Sequence, residues 1–114
     1  MGLTFVDIEI NGRRYRALVD TGYNGRLLVN EEVAREAQLP RVGEGERALA
    51  DGRRIKTWIS YARVKLMGEE GIAMIEVIEG LPVDALVGAI TLEELGFIVN
   101  PRTGAIERAG LLAV

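Results

Sequence analysis

A chain of 114 residues, 48% hydrophobic, has room for one compact domain with a modest core. Its net charge of −3 disfavours nucleic acid as the main partner, and no run approaches the ~18 apolar residues of a membrane span. His and Cys are absent and Ser60 is the only serine, so a Ser-His-Asp triad, a Cys-His pair and a His-based zinc site are excluded within the chain.

Val6, Ile8 and Ile10 alternate with Asp7 and Glu9, which predicts a half-buried strand. No basic and apolar signal-peptide pattern precedes it, so the expected compartment is the cytoplasm. Asn11-Gly12 is a hairpin turn signal. The second strand runs over 13–19, and its Arg13-Arg14-Tyr15-Arg16 cluster reads as a solvated face.

Ala17-Leu18-Val19 ends that strand, and Asp20-Thr21-Gly22 follows at once. An ionisable group at the end of a hydrophobic run costs free energy unless partnered. On the tripeptide alone a tight turn is the favoured account of Asp and Gly there, and the rest of the chain shifts the weight towards a working carboxylate. Tyr23-Asn24-Gly25 continues as a loop into the short apolar strand Leu27-Leu28-Val29. Asn30 then caps a helix whose first turn carries Glu31 and Glu32, with Gln38 as its expected end before Pro40.

Residues 41–46 read as a glycine-containing linker, and 47–50 as a strand. Asp51-Gly52 is the second hairpin turn; Ile55, Thr57 and Ile59 lie on its return strand. A separate strand is expected over 61–67, a turn at Gly68-Glu69-Glu70-Gly71, and a strand over 72–77. Short strands joined by tight turns imply a small all-β barrel or sandwich.

Asp84-Ala85-Leu86-Val87-Gly88 echoes the earlier motif: an apolar triplet, a tight loop, a helix. The second copy lacks the carboxylate, since Gly88 stands where Asp20 stood. Thr91 and Glu94 have capping-box spacing, and Gly96 fits a helix stop. Phe97-Ile98-Val99, a turn at 101–104 and the apolar tail Leu111-Leu112-Ala113-Val114 complete the chain. Such a tail is expected to be buried, against a partner if one is present.

Apolar-apolar-Asp-Thr-Gly, a central hairpin, then apolar-apolar-Gly before a short helix resembles the retroviral-type (retropepsin-like) aspartic proteases. The likeness is closer to their prokaryotic relatives, which carry Asp-Thr-Gly-aromatic-Asn-Gly, and it covers nearly the whole of 1–114 as one domain. The resemblance implies a small closed β-barrel with one or two short helices. It also implies a homodimer that hydrolyses peptide or protein substrates without metal or cofactor. On this resemblance Asp20 is the catalytic carboxylate, Thr21 bonds across the dimer axis, and Gly22 aims its backbone at the acid. Tyr23, Asn24, Ala50, Asp51, Gly52, Gly88 and Ala89 would contact substrate, with Ala50-Asp51-Gly52 as a flap and Gly88 letting the second loop pack under the first. Tyr23 stands where the viral enzymes usually have Ala, so their specificity does not carry over.

Two other readings compete with the peptidase. One is a dimeric β-barrel that binds or assembles without catalysis. The other is metal-assisted hydrolysis through Asp20 and a second acid, although the acids show no spacing like a calcium loop. The hairpin over 47–59 is expected to be mobile, because its tip carries Asp51, Arg53 and Arg54 and little apolar surface.

Overall fold

A computed structural model of the chain describes residues 3–49 and 51–109. The two strands β1 (Leu3–Ile10) and β2 (Arg13–Asp20) pair along their full length, from Ile10 opposite Arg13 to Leu3 opposite Asp20. Asn11 (φ 51°) and Gly12 (φ 83°) join them, the two left-handed residues that match strand twist in a tight hairpin. Period-two alternation puts Ile8, Ile10, Tyr15, Ala17 and Val19 inside, while Arg13, Arg14 and Arg16 stay in solvent.

The short strand β3 (Leu27–Val29) is buried along its whole length. It leads into helix α1 (Glu31–Glu36), where the Asn30 side chain accepts from the Val33 N–H at 2.9 Å. The helix stops at Glu36, two residues before its expected end, and Gln38 turns left-handed at φ 56°.

The strand β4 (Gly43–Ala48) occupies what the sequence suggests is a linker, and it pairs from Gly43 opposite Ile59 to Ala48 opposite Arg54. Packing favours glycine at Gly45, where a Cβ would lie 2.7 Å from Thr57 Oγ1. The return strand β5 (Arg54–Leu66) is one 13-residue strand rather than two. It runs into β6 (Glu69–Val77) through Met67 (φ 49°) and Gly68 (φ 86°). That tight turn lets Leu66 pair directly with Glu69, so Glu69, Glu70 and Gly71 belong to the strand and not to a turn.

Strand β7 (Ala85–Val87) is followed by helix α2 (Ala89–Glu94). The helix starts at Gly88, so Thr91 is not its cap but a fully buried residue within it. Gly96 ends it at φ 91°, and β8 (Phe97–Val99) pairs with β9 (Ile106–Arg108) in a separate hairpin. The tail 111–114 lies outside the described residues.

Six strands close in the order β1-β2-β7-β3-β6-β5, the seam being β1 against β5 from Ile8 opposite Leu66 to Ile10 opposite Val64. This is the all-β closed barrel that the resemblance implies. Ile8, Ile10, Leu27, Leu66, Ile75 and Leu92 fill it and exclude water. β4 lies outside the closure, on the half of β5 that projects past the barrel. The β4–β5 hairpin is therefore a direct extension of a core strand.

Candidate active site

The repeated triplets meet in space. β2 and β7 run parallel and in register, Ala17 beside Ala85, Leu18 beside Leu86, Val19 beside Val87. Asp20 and Gly88 therefore leave the barrel side by side at the same end. An acid ends one strand, and at the matching point of its neighbour there is only backbone.

The carboxylate is half-buried and held locally. Gly22 N–H donates to Asp20 Oδ1 at 3.0 Å, and Tyr23 N–H donates to the Asp20 carbonyl at 3.1 Å. A Cβ at Gly22 would sit 3.4 Å from that carboxylate oxygen, in ordinary van der Waals contact. Thr21 is half-buried beside it and Asn24 is exposed.

The second loop locks the first. Gly88 N–H donates to the Arg26 carbonyl (3.0 Å), Ala89 N–H to Tyr23 (2.8 Å) and Ile90 N–H to Gly25 (2.9 Å). Helix starts leave N–H donors without intrahelical partners, and here the loop carbonyls satisfy them. This is why α2 needs no side-chain cap and Thr91 is not used as one. Gly88 is buried and packs beneath the loop. Arg26 and Glu94 add an exposed ion pair of 3.5 Å between the loop and α2.

Tyr23 lies across this junction. A Cβ on Gly25 would come within 2.6 Å of three Tyr23 ring and hydroxyl atoms, so Gly25 is needed for the ring to fold down. On its other side the ring carries the Arg47 guanidinium from β4, 5.5 Å from the centroid, and Arg47 Nη2 donates to Tyr23 Oη at 2.5 Å. Arg47 in turn pairs with Glu76 of β6 at 2.9 Å. Residue-type patterns in the sequence do not single out Arg47 and Glu76, because their meeting depends on the register of strands far apart in the chain.

The hairpin tip is a turn closed by Gly52 N–H to the Leu49 carbonyl (3.0 Å) and Leu49 N–H to the Arg53 carbonyl (2.7 Å). Asp51 and Gly52 are exposed there, and Ala50 lies outside the described residues. The stem is fixed, since Thr57 is only 2% exposed and bonded to Glu76. The tip at Asp51 and Gly52 stands clear of these anchors. The Arg53 backbone N–H, seconded by its guanidinium, holds the Asp51 carboxyl below the usual aspartate range. The ionised acid therefore supports the turn above the ordinary aspartate value, and that support is lost as pH falls through the lowered one. Arg53→Ala keeps the N–H and loses the guanidinium. The Asp51 titration, followed by carbon-13 NMR of its carboxyl, is expected to rise part of the way towards the ordinary value; no movement would mean that the guanidinium contact is absent in solution.

Thr21 and Gly22 also line an open depression of 280 Å³ with the β8–β9 turn, residues 99–104. There the Asn100 side chain accepts from the Arg102 and Thr103 N–H groups and shapes the wall. Another depression, 510 Å³, lies between α1 and Trp58 and includes none of the Asp20 loop. Among the described residues no three Asp or Glu side chains gather into a set that could hold a metal ion, and no helix is long and apolar enough to cross a membrane.

A family model described as gag-polyprotein putative aspartyl protease matches residues 6–104, a span that takes in both loops, the hairpin and α2. No curated protein matches the chain.

Proposed function

The chain belongs to the retropepsin-like, gag-polyprotein aspartyl protease family, and from that premise we propose that it is a homodimeric aspartic endopeptidase with Asp20 as its catalytic acid. One observation carries this reading. The in-register pair of β2 and β7 ends in Asp20 on one strand and in Gly88 on the other, so each chain offers one carboxylate at a site built for two loops.

The chemistry needs two carboxylates and one proton. An ionised acid takes a proton from water as the water attacks the peptide carbonyl, and a protonated acid polarises that carbonyl. Two such groups a few ångströms apart do not readily both ionise, and aspartic proteases are the standard example of it. A two-fold axis beside Asp20 supplies the second acid from an identical chain, because an isologous interface sets a residue against its own copy. Thr21 then bridges the axis and Gly22 N–H orients the carboxylate. Tyr23, Asn24 and the hairpin tip at Asp51 and Gly52 line the path of an extended peptide, with Ala89 at its edge.

The test is digestion of a mixed peptide library from about pH 4 to about pH 7 with excess EDTA, alongside sedimentation equilibrium. Cleavage that survives EDTA by a protein that sediments as a dimer is the expected result. A cleaving preparation that stays monomeric at tens of micromolar overturns the shared site. Cleavage abolished by EDTA favours a metal-assisted reaction, and a dimer with no cleavage at any pH favours a binding or assembly barrel.

A further inference from the structure

The hairpin and the Asp20 loop are joined by a chain of polar contacts that passes through four elements. Tyr23 Oη accepts from Arg47 Nη2. The same nitrogen lies 2.9 Å from Glu76 Oε1, which also accepts from Arg47 Nε at 2.9 Å. The other carboxylate oxygen, Oε2, accepts from Thr57 Oγ1 at 2.6 Å. Glu76 is thus engaged on both oxygens, and its side chain is only 15% exposed against 34% for Arg47. Partial burial makes these charge-assisted bonds less screened than the exposed pairs elsewhere on the hairpin, such as Arg54 with Glu46.

Geometry gives this network a direction. Glu76 sits on β6, a core strand of the barrel, opposite Ile59, and it accepts from Thr57 on the adjoining stem of β5, so the carboxylate is anchored on the barrel. Arg47 is on β4, outside the barrel closure, and its planar fork reaches from that anchor to Tyr23. Tyr23 is three residues from Asp20, and its backbone is tied both to Asp20 and to the start of α2. A shift of β4 would carry Arg47 with it and strain its bond to Tyr23.

We propose that Arg47 and Glu76 are positioning residues that couple the β4–β5 hairpin to the Asp20 loop through Tyr23, so that the hairpin's placement sets the geometry of the catalytic carboxylate. The consequence for turnover rests on the peptidase reading above; the coupling itself does not.

The experiment is a double-mutant cycle of Tyr23→Phe and Arg47→Lys, read by amide hydrogen exchange and by peptide-cleavage kinetics. Tyr23→Phe removes one hydroxyl and keeps the ring. Arg47→Lys keeps the charge and loses the fork. Each variant is read at the segment it does not touch: Tyr23→Phe at 46–49 and Arg47→Lys at 20–25. Exchange in the distant segment is expected to rise about tenfold, and the double variant should add little to either single, because each has already cut the same link. Arg47 lies outside the substrate-contacting set, and Arg47→Lys should lose about tenfold in kcat with KM nearly constant, the mark of a mispositioned reacting group and not of weakened binding. Unchanged exchange in the distant segment, or losses that multiply in the double variant, overturns the coupling. If Arg47→Lys does not fold, Tyr23→Phe decides alone at 46–49. A wild-type chain that cleaves nothing refutes the peptidase reading, and the exchange cycle still judges the coupling.

Discussion

Gly88→Ala is expected to destabilise the fold by about 3 kcal/mol or more, through collision and not through backbone strain. Gly88 has φ −97°, which any residue adopts, so the substitution has no conformational penalty of its own. The added methyl would lie 2.4 Å from the Gly25 carbonyl oxygen, 2.5 Å from Tyr23 Cδ2 and 2.7 Å from the Gly25 carbonyl carbon. A side chain can rotate away, but the Gly25 backbone cannot. Its carbonyl accepts from the Ile90 N–H, while the carbonyls of Arg26 and Tyr23 on either side accept from Gly88 and Ala89. Relief therefore requires breaking hydrogen bonds that bind the two loops together, and the Asp20 loop shifts with them. Gly96 supplies the contrast. Its φ of 91° is strained for alanine, yet nothing lies within 4 Å of where the methyl would go. Gly96→Ala should therefore cost only about 1 kcal/mol. Urea unfolding of both variants gives the order, and a Gly96→Ala that is the more damaging of the two would mean that the loops are not locked at Gly88.

That lock was half legible in the sequence. The echo of Ala17-Leu18-Val19 in Ala85-Leu86-Val87 pointed to two equivalent loops, and the parallel, in-register pairing of β2 with β7 is its physical meaning. Both hairpins announced themselves through Asn11-Gly12 and Asp51-Gly52, because a tight turn depends on a few adjacent residues. What stayed hidden depends on contacts between residues far apart in the chain. Gly43 and Gly45 carry every local mark of a linker, and only their pairing with Ile59 and Thr57 of β5 makes them a strand. Thr91 and Glu94 fit a capping box, but the donors at the start of α2 are satisfied by carbonyls of Tyr23 and Gly25, more than sixty residues earlier. Arg47 and Glu76 are ordinary charges in the sequence; they meet at Tyr23 because β4, β5 and β6 stand in one register. The catalytic roles given to Asp20, Thr21 and Gly22 stand on the family and on the strand geometry, and direct measurement decides them.

Asp20→Asn is that measurement, and it is expected to reduce peptide cleavage to below about one thousandth of wild type while tightening the proposed dimer above neutral pH. Cleavage is lost because an amide cannot take the proton from the attacking water. Shape is nearly conserved, and the asparagine Oδ1 can still accept from the Gly22 N–H that now bonds Asp20 Oδ1 at 3.0 Å. The dimer tightens for a separate reason. Two carboxylates brought together at an axis hold a proton more firmly than two carboxylates on separate chains, so association takes up protons. Linkage then makes the dimer strongest where that proton is present and weaker as pH rises and it is lost. With both acids ionised, their repulsion opposes association; asparagine removes the charge and the pH slope together. Dissociation constants of both proteins at about pH 5 and about pH 8 carry the test. The wild type should weaken between the two while the variant changes little and binds more tightly at the higher pH. If both weaken equally, the two Asp20 side chains do not meet at the axis. If instead the variant dimer behaves as expected but still cleaves, the two acids meet at the axis without being the catalytic pair.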